Sequence, residues 1–416
     1  MLLSEILEKI NSTSIQKWQK VAVAFSGGLD SSLAIPLLKH VYGAKEIIPI
    51  TIDVGQGEDE IKEMYEKASQ LGIKPIMIDA TEEFSQEWLS KAIQANSDYN
   101  GYPVSTSMTR QLVARIIALK ANELGCDAIL EGSTGKGNDQ YRMHNVFKLF
   151  APKLDVLVPV RDFNLTRLEE QLLCTHWGVP ITEQIVGGDD KTLWCRSIAS
   201  GAIDLNQPIP DNIWMWRIPP QKASDKGVEI ELEFSVGLPI SLNGKKLPLD
   251  AIIDELNLIA GSQGIGLIDM FEDGIMELKS REVYEAPAAH VILKLHRDLE
   301  QQCLTNDEIQ FKKIVDAKWA YLVYHGLWYS PLKQDLDAFI LQSQQMVCGK
   351  IKAKLYKGNI EIINRESKHS LFAPEVRSIK SVSFDQRWCA HAAKIRGLPC
   401  EILANRQQNI SNGVAS

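Results

Sequence analysis

No two of the seven cysteines in this chain form a CxxC pair, and they lie far apart. That pattern excludes a zinc-ribbon or disulfide frame and argues against sulfur transfer. An odd, scattered set suits buried thiols in a reducing cytosol, so a cytoplasmic location is expected. No apolar run approaches the ~20 residues that span a membrane. The N-terminal stretch has no signal-peptide core. The spacing of Leu3, Ile6 and Ile10 reads instead as a short amphipathic helix. Positive charge is in deficit: 45 Lys and Arg stand against 53 Asp and Glu, a net charge of -8. A generic nucleic-acid surface is therefore not expected, although a local basic pocket remains open. Internal repeats and low-complexity blocks are also missing. What is present is a globular composition, 45% hydrophobic and 24% charged. At 416 residues the chain exceeds one ordinary core, so more than one domain is expected.

The first part of the chain alternates strand-like and helix-like pieces. Strands are predicted at Lys20–Phe25, Glu46–Asp53, Lys74–Asp79, Ala128–Glu131 and Asp155–Val160. Helices are predicted at Asp59–Leu71, Phe84–Asn96 and Thr109–Leu124. This rhythm predicts an α/β fold with a parallel sheet covered on both faces, and ligands beyond the carboxyl ends of its strands. After residue 181 the texture becomes α+β. A strand at Glu229–Phe234 with an Asn243-Gly244 turn is followed by helices at Ala251–Ala260, Ala286–Glu300, Asp307–Tyr324 and Pro331–Gln345. Two more strands flank Lys357-Gly358. The expected division is a nucleotide-binding domain over 1–180, an α+β domain over 181–382, and a terminal helix with a tail over 383–416. Phe384, Trp388, Ala392 and Ile395 share one face of that helix, which suits docking on its own domain or on another subunit. The polar tail from Asn405 reads as disordered. Pro36 should bend the first helix of the sheet domain.

The most telling stretch is VAVAFSGGLDSS, residues 21–32. A buried strand runs into Ser26-Gly27-Gly28, and a helix follows from Leu29. Paired glycines let a ligand approach the backbone, and the helix start presents unpaired N–H groups to an anion. Ser26, Ser31 and Ser32 add hydroxyl donors. No Gly-Lys-Ser/Thr closes the loop, so it is not the nucleotide P-loop. Asp30 would repel phosphate unless a cation lay between them, and Mg²⁺ would meet that need. The loop resembles that of the N-type ATP pyrophosphatases, which implies cleavage of ATP between its α and β phosphates.

A second dense motif is EGSTGKGNDQYR, residues 131–142. Its residue types can hold an ammonium on Asp139, a carboxylate on Thr134 and Asn138, and a second carboxylate on Arg142. That is the inventory for an amino-acid substrate beside a nucleotide.

With YPVSTSMTR (102–110), REVYEAPAAHVILKLHR (281–297), VYHGLWYSPL (323–332) and LYKGN (355–359) added, the chain resembles the argininosuccinate synthases over about residues 18–400. The resemblance implies that ATP adenylates the ureido oxygen of citrulline with loss of pyrophosphate. The amine of aspartate then expels AMP. It implies a homotetramer whose C-terminal helix reaches a neighbour. It places ATP on Ala24, Phe25, Ser26, Gly27, Gly28, Leu29, Asp30, Ser31 and Ser32, with Ile52, Gly132 and Lys136. It puts aspartate on Thr134, Asn138 and Asp139. It puts citrulline on Tyr102, Ser107, Asn138, Arg142, Gly188, Ser197, Glu272 and Tyr284. Asp30, Lys136 and Asp139 are the implied catalytic residues, with Mg²⁺ carried on ATP near Asp30.

Departures from the family pattern cluster on the acceptor side. Gly187-Gly188-Asp189-Asp190 stands where the family has Tyr-Ser-Ile-Asp, and Ala199 where it has a glutamate. Met143-His144 replaces Phe-Glu, and Val158-Pro159-Val160-Arg161 replaces Ala-Pro-Trp-Arg. Three readings follow: a divergent synthase acting on citrulline, a ligase joining aspartate to another ureido or amide acceptor, or a weakly active nucleotide-binding scaffold.

Overall fold

The computed structural model describes residues 3–13, 16–181, 188–199, 203, 208–274 and 276–411. Contacts divide the chain into two units, Met1–Ser370 and Leu371–Ser416. In the first unit, β1 (Lys20–Ala24), β2 (Glu46–Asp53), β3 (Ile76–Asp79), β4 (Ala128–Leu130) and β5 (Asp155–Leu157) form one sheet in the order β3-β2-β1-β4-β5. Every pairing in it is parallel. Both faces are apolar, as a parallel sheet between helices requires. Val21, Val23, Ala128 and Leu130 pack into one core with Ile6, Ile10, Leu33 and Leu37. Ala22 and Ile129 point the other way, into a second core with Leu112, Ile117 and Phe147. The strand order reverses between β1 and β4, and such a switch point opens a crevice at the strands' carboxyl ends.

Among the described residues nine more strands follow: β6 (Gly188–Lys191), β7 (Arg196–Ala199), β8 (Val228–Ser235), β9 (Leu238–Leu242), β10 (Lys245–Lys246), β11 (Leu267–Asp273), β12 (Lys279–Glu285), β13 (Gly349–Tyr356) and β14 (Asn359–Glu366). They make two antiparallel sheets, β10-β9-β8-β13-β14 and β11-β12-β7-β6. The smaller sheet was not foreseen in the sequence, yet its face lines the crevice.

Several helices differ from expectation. The helix expected from Thr109 begins at Ser105 and runs to Glu123. Asp139–Phe150 and Arg167–Trp177 are also helices, to which the sequence pattern assigned no element. Leu29–His40 runs through Pro36, which removes one intrahelical donor without ending the helix.

In the second unit, the helix expected at Phe384–Arg396 spans Cys389–Ser411. The tail from Asn405 is a correction: helix continues to Ser411, because Ala404, Arg406, Gln407 and Gln408 are all competent helix formers. None of its residues is buried.

Candidate active site

The loop after β1 is shaped by its own hydroxyls. Ser31 Oγ donates to the Gly28 carbonyl at 3.1 Å and accepts from the Ser26 N–H at 3.3 Å. Gly27 takes φ +78°, and a Cβ there would meet Met64 Cα at 3.0 Å, so both conformation and space call for glycine. The Gly132 backbone after β4 presses on the same loop; a Cβ there would meet Asp30 Cβ at 3.1 Å and the Ser31 nitrogen at 3.2 Å. Ser32 Oγ is buried with no hydrogen-bond partner.

The counter-cation of Asp30 is Arg167. Its Nη1 donates to Asp30 Oδ1 at 2.5 Å and to Glu170 Oε2 at 2.8 Å. Burial, then a hydrogen bond with Asp30, pushes the Glu170 carboxyl up to about 8. The loop's acid is thus held by a guanidinium and a proton. Among the described residues no group of three or more His, Cys, Asp or Glu could hold a metal ion. Asp30 and the serine hydroxyls are hard oxygen donors, and they fit a Mg²⁺ that arrives on phosphate rather than one caged by protein.

The two loops open on a cavity of about 1170 Å³. Its wall includes Ala24, Phe25, Ser26, Gly28, Leu29, Asp30, Ser31, Ile52, Gly132, Thr134, Lys136, Asn138 and Asp139, so nearly all the predicted nucleotide and aspartate residues converge. Gly27 and Ser32 shape the loop from behind. Asp139 anchors the far side. Its Oδ2 accepts from Arg110 Nε at 2.8 Å and its Oδ1 from Arg142 Nη1 at 2.9 Å. Burial alone would raise the Asp139 carboxyl, but the two guanidinium groups hold it below the usual carboxylate range. Arg110 also donates to Asp190 Oδ2 at 2.8 Å.

Arg142 is 4% exposed. Its Nε donates to the Tyr324 carbonyl at 2.8 Å, and the guanidinium lies 4.7 Å from the Tyr324 ring centroid. Nη2 is buried without a partner. A buried guanidinium donor left unpaired is costly, and here it borders a cavity.

Four of the residues predicted for the acceptor, Gly188, Ser197, Glu272 and Tyr284, lie on strands of the small sheet. Ser197 pairs with Tyr284 and with Asp190 across the strands, and Ala199 with Glu282 and with Gly188. Ser197, Ala199, Glu272, Glu282 and Tyr284 line the cavity. Tyr102 stacks on Tyr284 with centroids 4.4 Å apart. Both Glu272 oxygens are engaged: Oε1 accepts from Tyr284 OH, and Oε2 from Tyr324 OH at 2.5 Å. Asn138 Nδ2 donates to that same Tyr324 hydroxyl at 3.0 Å.

One predicted contact is corrected. Ser107 does not reach the cavity wall; it is fully buried, and its Oγ donates to the Val104 carbonyl at 2.8 Å. From the helix that begins at Ser105, the residues facing the cavity are Thr106, Thr109, Arg110, Val113 and Ile117. Sequence reasoning missed Arg110, Arg167, Glu131 and Glu282. The signal for Arg110 was an arginine at helical spacing from Thr106 and Val113. Glu131 opens the dense motif but reads as the end of a strand, so it drew no role; its buried carboxyl accepts the Ser133 N–H at 2.6 Å.

A parallel sheet with a serine- and glycine-lined loop at its switch point defines a nucleotide-binding HUP domain, and the family model for that domain, "Arginosuccinate synthase N-terminal HUP domain", matches residues 20–180. The "Arginosuccinate synthase C-terminal domain" matches residues 188–403. The argininosuccinate synthase of Methanococcus maripaludis is 42% identical over 389 residues, covering 92% of this chain and 98% of that protein. That of Methanocaldococcus jannaschii is also 42% identical, over 94% and 99%. That of Pyrococcus furiosus is 40% identical, over 93% and 94%. The chain belongs to the argininosuccinate synthase family.

Proposed function

We propose that this protein joins L-aspartate to L-citrulline at the expense of ATP, releasing AMP and pyrophosphate. The ureido oxygen attacks the α-phosphorus, and the bond to pyrophosphate breaks. The amine of aspartate then forms a bond to the ureido carbon, the carbon–oxygen bond breaks, and AMP leaves with that oxygen. The observation that carries the reading is the orphaned Arg142 Nη2, buried at the edge of the cavity that the phosphate loop opens. It calls for a carboxylate beside a nucleotide. Ser26, Gly28 and Ser31 would cradle the departing pyrophosphate, and Lys136 would offset its charge. Thr134, Asn138 and Asp139 would hold aspartate, and Ser197, Glu272 and Tyr284 the acceptor. Mg²⁺ carried on ATP would be held at Asp30 and would neutralise phosphate charge. With the acceptor activated as a leaving-group adenylate, alignment of the amine is the remaining task.

The reading includes a homotetramer, because the arm Leu371–Ser416 leaves Phe372, Val382, Trp388 and Ile402 exposed. It includes a cytoplasmic location, which seven free thiols suit.

A pyrophosphate-release assay tests the function. Release only with ATP, Mg²⁺, citrulline and aspartate all present is the expected outcome. Release with aspartate and a different ureido or amide compound, but not citrulline, supports the second reading, which the small side chain of Ala199 on the cavity wall favours. ATP binding without turnover on any acceptor makes the chain a scaffold.

A further inference from the structure

We infer that Glu282 is a further acceptor-binding residue, whose carboxylate takes the acceptor's α-ammonium and makes the site select amino acids with a free α-amino group. The inference rests on the proposed amino-acid acceptor.

The register of the small sheet places Glu282 opposite Ala199 on one side and Met270 on the other. Glu272 lies diagonally across, opposite Ser280, so both acids share the cavity face. Glu272 is one of the residues the family resemblance assigns to citrulline, yet each of its oxygens already accepts a tyrosyl hydroxyl. Among the described residues, the hydrogen-bond partner of Glu282 is the hydroxyl of Ser280 on its own strand. Ala199 leaves the space beside it open. Arg142, with its unpaired Nη2, borders the same cavity. A cationic donor beside an acid pair is the arrangement that receives a zwitterion: carboxylate on Arg142, ammonium on Glu282.

The groups facing Glu282 are Glu272 from β11, Asp139 and Arg142 from the helix Asp139–Phe150, and Ser280 on its own strand. Burial first, and Glu272 next, push its carboxyl up to about 7. Near pH 7 about half of the free protein therefore carries a proton there. An arriving ammonium fixes the charged form and expels that proton.

Titration calorimetry with L-citrulline, in phosphate and in Tris at pH 7 with a non-hydrolysable ATP analogue present, reads this directly. The parent protein should release about half a proton per citrulline and leave N-acetylcitrulline unbound. Glu282→Gln should release none and raise KM for citrulline about tenfold or more, with KM for ATP and aspartate within about twofold. Glu282→Asp, which keeps the charge, should retain proton release, and equal melting temperatures exclude a folding defect. If Glu282→Gln binds citrulline with the parent's affinity and proton release, or the parent takes N-acetylcitrulline equally well, the inference is overturned while the ligase reading stands. If the parent binds citrulline with proton release but forms no pyrophosphate, the ligase reading fails and Glu282 keeps its role. A parent that binds no citrulline overturns both.

Discussion

Arg142 does three jobs with one planar group. Nε ties the helix Asp139–Phe150 to the carbonyl of Tyr324, Nη1 holds Asp139, and Nη2 is left for a ligand. The turn after Tyr324 comes so close that a Cβ on Gly326 would meet Arg142 Cα at 2.9 Å. A lysine can point a charge into this space but cannot fill three directions in a plane. Arg142→Lys should therefore raise KM for the acceptor by about 5- to 150-fold, the equivalent of about 1–3 kcal/mol, and leave KM for ATP nearly unchanged. Steady-state kinetics with each substrate varied in turn checks it. An unchanged acceptor KM would remove Arg142 from the acceptor site. Single residues of this kind were legible in the sequence when they sat in dense polar strings. Thr134, Lys136, Asn138, Asp139 and Arg142 all reach the cavity. Ser107 came only from the family resemblance; in this chain its hydroxyl turns to the Val104 carbonyl, in the first turn of a helix that begins at Ser105. Arg167 was invisible, because its partner Asp30 is 137 positions away.

Between elements, a buried charged junction lies away from the cavity. Lys312 Nζ donates to the Gln94 carbonyl and to both oxygens of Asp316, each at 2.8 Å, and pairs with Glu300 at 3.0 Å. Asn96 bridges Glu300 at 2.6 Å and Asp316 at 3.1 Å. One ammonium thus faces two carboxyls. Burial pushes Asp316 up to about 7, even though Lys312 pulls it down. Its folded pKa is raised, so the native state keeps a proton that the unfolded chain has released. Stability therefore falls as pH climbs from 3.8 to about 7, and the penalty is constant above. Asp316→Asn removes the surplus charge and still accepts from Lys312 through its amide oxygen. Its melting temperature, compared with the parent's, should show a gain that grows across that window and then levels off. A gain independent of pH would mean that Asp316 is charged throughout. The elements themselves divide by how pure their pattern is. The sheet strands β1, β2 and β4 and the helices Asn306–Tyr324 and Pro331–Ser343 follow their hydrophobic spacing and were legible within a few residues. The strands β6, β7, β11 and β12 were not. Leu267-Ile268-Asp269-Met270-Phe271-Glu272-Asp273 carries Glu272, which lines the cavity, on one face and the ion pair of Asp269 with Arg281 on the other, so its alternation is overwritten.

At the scale of the whole chain, one boundary separates two kinds of material. Every residue that lines the cavity falls between Ala24 and Tyr284, inside the unit Met1–Ser370. All three apolar cores belong to that unit as well. Among the described residues of the unit Leu371–Ser416 none is buried, although Leu371, Ile379, Ile395, Leu403 and Ile410 are strongly apolar. Exposed surface of that kind is costly unless another surface covers it, and a second copy of the chain is the partner that the proposed homotetramer would supply. Ending the chain after Ser370 should then leave a folded protein that still binds ATP, because no core residue is removed. Light scattering should show a smaller particle than the full-length protein gives, and calorimetry should show nucleotide affinity within about threefold of the parent's. A truncated chain that keeps the full-length assembly state would assign the subunit contacts to the first unit. One that loses ATP binding along with assembly would mean that the cavity is completed by a neighbour.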